Sequence, residues 1–254
     1  MEDQLQIART ALQALSRDRF GPGLVADRGI AAARGRAYDM AVATFNLMLA
    51  SAWCDLHSHN TAHKAIDLAI DHADKADSER LTAAAHRCRA TTHLAEGKLR
   101  DAEGAALLAL ELDEASGNAL RLYQSQWIFA NILTALERYT EARAEFDKAA
   151  EGASNLGHEV AYARVLTDHG AALTASGESM NAMALLTTAL MALTRQEAGS
   201  GAWLGDLYRN MARAWRVAGD LTKADECFRQ AIERYRLARR DYAADEVERE
   251  WRQR

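Results

Sequence analysis

His57, His59 and His63 form an H-x-H-x3-H cluster, with Asp55 beside them and Asp67 one turn after His63. Imidazoles at such spacing can meet on one divalent ion. The segment also reads as a polar turn between helices, where exposed histidines cost little, and no dense Cys/His framework accompanies it. His86 and His93 are seven residues apart on one helix face, a spacing suited to packing between helices. Arg209, Arg213 and Arg216 follow helical spacing, so their guanidinium groups share one face. Asp206 and Asp220 are close enough in sequence to neutralise them.

The remaining reactive residues carry no catalytic pattern. Cys54, Cys88 and Cys227 are odd in number, widely spaced and free of any CxxC pair, which suits reduced thiols in a cytoplasmic setting. There is no P-loop, GxGxxG, HExxH or GxSxG motif. The expectation is a non-catalytic chain without a cofactor.

Elements that position these side chains must be helical. The chain has 254 residues, 49% hydrophobic and 26% charged, with a single proline, Pro22. Alanine abounds, and runs of β-branched residues are few. A net charge of −5 argues against a general nucleic-acid binder. No apolar run reaches the roughly 18 residues of a membrane span, and the N-terminus lacks the order of a secretion signal.

An internal repeat organises the helices. Ala62, Ala102, Ala142, Ala182 and Ala224 recur at intervals of 40, 40, 40 and 42 residues. Seven residues after each stand Ala69, Ala109, Ala149, Ala189 and Ala231, and twelve before each stand Ala50, Ala90, Ala130, Gly170 and Ala212. Four after each come Ile66, Ala106, Phe146, Leu186 and Phe228. Positions four and seven apart share a helix face, so small residues there admit a neighbouring helix and the residue between them fills the gap. His57, Gly97, Glu137, Gly177 and Gly219 stand five before each anchor, and glycine favours the left-handed turn that ends a helix. Each unit therefore reads as helix, turn, helix. Clusters at 116–118, 152–157 and 197–201 mark the connections between units.

This small–large–small pattern, with Trp53, His93, Leu133, Leu173 and Trp215 nine before the anchors, resembles the tetratricopeptide repeat family over residues 37 to about 242. The unit is longer than the family's usual ~34 residues and lacks its closing proline, as in the longer variant of bacterial regulators and sensors. The resemblance implies an all-α, right-handed α-solenoid of about five hairpins: 37–78, 79–119, 120–160, 161–201 and 202–242. Residues 1–36 would be N-terminal capping helices, one at 3–18 and a short one at 24–35. Residues 243–254 would be a charged C-terminal helix, either a solvating cap or a connector.

By the same resemblance the first helix of each unit lines a concave groove. Groove-facing residues would include Arg87, Thr91, Gln124, Trp127, Asn131, Arg164, Thr167, Arg209, Arg213 and Arg216. The asparagine resembles those that pair with an extended peptide backbone, a task suited to a group that donates and accepts. It would equally serve to bond a neighbouring helix. The tryptophan offers an apolar platform, and the arginines would converge on a carboxylate or phosphate. The implied function is a protein- or peptide-binding module of a bacterial signalling or transcription-control system, with a partner bearing an acidic group. Two alternatives stand beside it. One is a self-associating scaffold, such as a homodimer. The other is the sensor segment of a larger signalling enzyme such as a diguanylate cyclase.

Overall fold

The computed structural model describes residues 28–194 and 201–252. Eleven helices run through them: α1 (Arg28–Asp55), α2 (His59–Lys75), α3 (Glu79–Ala95), α4 (Leu99–Ala115), α5 (Ala119–Ala135), α6 (Tyr139–Asn155), α7 (Glu159–Ala175), α8 (Ser179–Thr194), α9 (Gly201–Val217), α10 (Leu221–Leu237) and α11 (Asp241–Arg252). No strand occurs among the described residues. None of these helices is long and apolar enough to cross a membrane.

The chain divides into two compact units between Asn118 and Ala119. The first contains the hairpins α1–α2 and α3–α4. The second contains α5–α6, α7–α8 and α9–α10, followed by α11. Both units are all-α and built by packing each helix on its sequence neighbour.

The repeated small residues are where this packing occurs. Ala62, Ala102, Ala142 and Ala182 are fully buried, and so are Ala69, Ala109, Ala149, Ala189 and Ala231. Ile66, Phe146, Leu186 and Phe228, standing between them, are the large side chains sealed inside. Gly170 shows why its column must stay small. A Cβ placed there would lie 2.7 Å from Leu186 Cγ, well inside van der Waals contact.

Turns of three residues join the helices, as at 96–98 between Ala95 and Leu99, except between α8 and α9. The turn at 136–138 shows how they close. Glu137 has φ 60°. Its N–H donates to the Thr134 carbonyl at 3.0 Å, and the Arg138 N–H donates to Leu133 at 2.9 Å. That six-to-one bond with a left-handed residue is a Schellman motif, which satisfies carbonyls left over at a helix end. Left-handed residues recur at 57, 77, 97, 117, 137, 157 and 177, and again at 219 and 239. The structural period is thus one helix and one turn, half the sequence repeat.

Three expectations change. First, α1 runs unbroken from Arg28 to Asp55, so no helix boundary lies at 36, and the short helix expected at 24–35 is absorbed from residue 28 onward. Gly29 and Gly35 are the only interruptions to good helix formers there, and an isolated glycine costs only about 1 kcal/mol. Second, α6 continues to Asn155, so Gly152 belongs to a helix rather than a connection. Its missing side chain makes room for Tyr123, whose Cβ would lie 2.8 Å from an added Cβ. Third, Gly201 opens α9 rather than lying in a connection. The helix expected at 3–18 and the rest of the connection at 197–200 lie outside the described residues.

Candidate functional site

The second unit contains a cleft of about 300 Å³ lined by side chains of α5, α7 and α9, the first helices of three successive hairpins. Trp127 projects into it from α5, Arg164, Thr167 and Asp168 from α7, and Trp203, Asp206, Arg209, Asn210 and Arg213 from α9. The 40-residue repeat sets this convergence, because it returns each first helix to the same orientation beside its predecessor.

Arg164 sits at the centre. Its guanidinium carbon lies 4.9 Å from the Trp127 ring centroid and 5.0 Å from that of Trp203. Guanidinium over indole is a favourable cation–π arrangement that uses the flat face of the cation. The in-plane N–H groups remain donors. Among the described residues, no carboxylate forms an ion pair with Arg164.

Asp168 ties α5 to α7. Trp127 Nε1 donates to its Oδ2 at 2.8 Å, and Asn131 Nδ2 donates to the same oxygen at 3.1 Å. Burial pushes the Asp168 pKa up, against the lowering effect of these two donors and of Arg164. Asn131 thus spends an amide proton on the neighbouring helix and is not among the residues lining the cleft.

The arginine cluster is arranged differently from the expectation of an open anion site. Arg209 donates from Nε to Glu250 Oε2 at 2.7 Å and from Nη2 to Glu246 Oε1 at 2.9 Å. Arg213 donates to both Glu250 oxygens, at 2.6 and 2.8 Å. Arg216 donates to the Glu250 carbonyl at 3.3 Å and lies over the Phe228 ring, 4.7 Å from its centroid. The charged segment at the C-terminal end thus supplies the counter-ions as α11, a role sequence reading gave to Asp206 and Asp220. Asp206 instead accepts from the Tyr235 hydroxyl, and Asp220 caps α10 by accepting from the Lys223 N–H at 3.0 Å. Burial alone would lower the Arg209 pKa, but its hydrogen bonds to Glu246 and Glu250 raise it.

The other expected groove residues lie elsewhere. Arg87, in the first unit, pairs with the buried carboxylate of Asp113 on α4. Thr91 donates to its own helix at the Cys88 carbonyl, 2.9 Å away. Thr167 does likewise at Ala163, 2.8 Å away, while its side chain borders the cleft. Gln124, on α5, is half-buried and outside the cleft lining. Sequence reading missed Asp168, Trp203 and Asn210. Asp168 had a signal, for it stands 41 and 37 residues after Trp127 and Asn131, the offsets that also separate Glu250 from Arg209 and Arg213.

The histidines separate into two groups. His57 occupies the left-handed position of its turn, and its ring lies 6.1 Å from that of His59. His63 turns away toward α3, where it meets His93 and Glu96. The candidate trio of His57, His59 and His63 does not converge among the described residues. The thiols of Cys88 and Cys227 are quiet: burial pushes Cys88 up to about 12 and Cys227 up to about 11.

No protein-family model matches the sequence, and no curated protein does. Solved structures do match. BtubC (BKLC) from P. vanneervenii superposes with a TM-score of 0.66 at 19% identity, covering 93% of this chain and 91% of that one. A signal transduction ATPase with numerous domains from Pyrococcus horikoshii, which carries a tetratricopeptide repeat sensor, gives 0.58 at 13% identity. That match covers 98% of this chain and 40% of the other. The chain has the tetratricopeptide-type repeat fold. A Rap protein complexed with competence and sporulation factor shares this tetratricopeptide-type architecture, with a TM-score of 0.62 at 13% identity over 97% of this chain and 83% of its own.

Proposed function

We propose that the chain is a non-catalytic binding module whose second unit receives a protein or peptide segment in the α5–α7–α9 cleft. The observation that carries this reading is Arg164 held between Trp127 and Trp203. Two indole faces fix a cation in orientation, and its free edge suits a planar carboxylate or a phosphate. Trp127 and Trp203 add apolar surface for a neighbouring ligand side chain. Arg209 and Arg213 border the same cleft but are already matched by Glu246 and Glu250, so Arg164 bears the recognition of an acidic group.

The role we assign is sensory or regulatory, in a signalling or transcription-control system. The likeness to the Rap protein complexed with a factor, and to a tetratricopeptide repeat sensor, supports this reading. The test is selection of binders from a displayed random-peptide library, followed by titration of the selected peptides against tryptophan fluorescence. Arg164→Ala is expected to weaken acidic peptides by about tenfold or more, in line with loss of a charge-assisted hydrogen bond. Selected peptides that bind equally well to Arg164→Ala and Trp203→Ala would remove the cleft from consideration.

A further inference from the structure

A second cluster lies in the first unit, where nothing in the proposed binding cleft reaches. His63 comes from the second turn of α2, His93 from the last turn of α3, and Glu96 follows the end of α3. His63 Nε2 lies 2.8 Å from Glu96 Oε2, and His93 Nδ1 lies 3.4 Å from the same oxygen. The two imidazole rings are 4.6 Å apart, tilted by 39°. One ligand atom from each residue falls within 4.8 Å of the other two. The geometry points to a divalent transition-metal site, of the zinc type, formed by His63 Nε2, His93 Nδ1 and a Glu96 carboxylate oxygen.

The spacing suits such an ion. Zinc–nitrogen and zinc–oxygen bonds of about 2.0–2.2 Å in tetrahedral geometry place neighbouring ligand atoms roughly 3.4 Å apart. The His93–Glu96 separation already meets that value. The His63–Glu96 hydrogen bond would open by about half an ångström as the ion replaced its proton. His93 Nδ1 is buried, and its contact with Glu96 Oε2 at 3.4 Å falls short of a well-formed hydrogen bond. That nitrogen is a ligand atom only weakly occupied, and a buried polar atom without a good partner is costly.

The electrostatics agree. Glu96 supplies a carboxylate whose negative charge offsets part of that of a divalent ion. The cluster sits at the C-terminal end of α3, whose dipole favours a cation, and near the N-terminal end of α2, whose dipole opposes one. Lys98 opposes it, with Nζ 3.1 Å from Glu96 Oε1, but its side chain is half exposed and bonds the oxygen remote from the imidazoles. Asp101 lies near enough to act on His93 in the opposite sense. Three protein ligands leave a fourth position for water or a partner group. An ion there would join α2 to α3, the second helix of one hairpin to the first of the next.

Equilibrium dialysis of the full chain against zinc chloride tests the site. One zinc per chain is expected, with affinity reduced more than about tenfold in His93→Ala and in Glu96→Gln and unchanged in His57→Ala and His59→Ala. Because a variant can misfold, the wild-type protein is also titrated while its histidine nitrogens are followed by NMR. His63 Nε2 and His93 Nδ1 should shift together to saturation at one equivalent. Absence of bound zinc, undiminished binding in both His93→Ala and Glu96→Gln, or unshifted His63 and His93 resonances would overturn the site.

Discussion

Arg213 meets Glu250 edge to edge, its Nε 2.6 Å from one carboxylate oxygen and its Nη2 2.8 Å from the other. Arg209 reaches the same carboxylate from one turn earlier, so a single glutamate holds two arginines and fixes α11 against α9. Burial would raise the Glu250 pKa, but Arg213 and Arg209 outweigh it and leave it lowered. Replacing Glu250 by Ala leaves both guanidinium groups short of a partner in a half-buried setting. The expected loss is about 2 kcal/mol, with α11 fraying first. Urea denaturation and hydrogen exchange of residues 241–252 would show it.

Glu137 holds a left-handed backbone at a turn where Gly97 and Gly177 stand in neighbouring units. A side chain there costs about 1–2 kcal/mol, against which glycine adds entropy to the unfolded chain. Glu137→Gly is expected to stabilise the protein by roughly 0.5–1 kcal/mol, seen as a rise of a few degrees in Tm.

Gly152 faces the opposite outcome. It sits inside a helix, where alanine is intrinsically better by about 1 kcal/mol. Yet its added Cβ would lie 2.8 Å from Tyr123 Cβ, an atom fixed to the backbone of α5. Gly152→Ala is therefore expected to destabilise by about 1–3 kcal/mol, despite its better helix propensity. A rise in Tm would show that α5 and α6 separate without cost.

Buried histidines set the acid limit. His169 stacks on Phe146 with ring centroids 5.1 Å apart, and burial lowers its pKa, as it does for His86 and His93. The folded pKa lies below the unfolded value of about 6.5, so the unfolded chain binds more protons. Their contribution is complete above pH 6.5 and is lost as pH falls through the folded values. Stability measured by denaturant from pH 7.5 to 5 should fall, and His169→Leu should flatten part of that slope.

The helices and their packing faces were legible because alanine and glycine recur at spacings that only a close-packed helical repeat explains. Trp127, Arg164, Thr167, Arg209 and Arg213 were assigned to a groove by resemblance to the tetratricopeptide repeat family, and all five border one cleft. What the residues do there was not legible. An arginine column shows where charge stands, while its state depends on what the following helix presents one period later. For Arg209 and Arg213 that is Glu250, and for Asn131 it is Asp168. The histidine cluster escaped for a similar reason. His63 and His93 are 30 residues apart, and only the lateral contact of α2 with α3 joins them.

Helices mostly of seventeen residues, most of them joined by three-residue turns, also bear on the time course of folding. The ties between neighbouring hairpins span about 40 residues, as between Trp127 and Asp168. The chain therefore never closes a long loop before contacts begin to reward it, and low contact order favours rapid folding. Each hairpin is also a potential nucleus, so collapse can begin at several places along the chain.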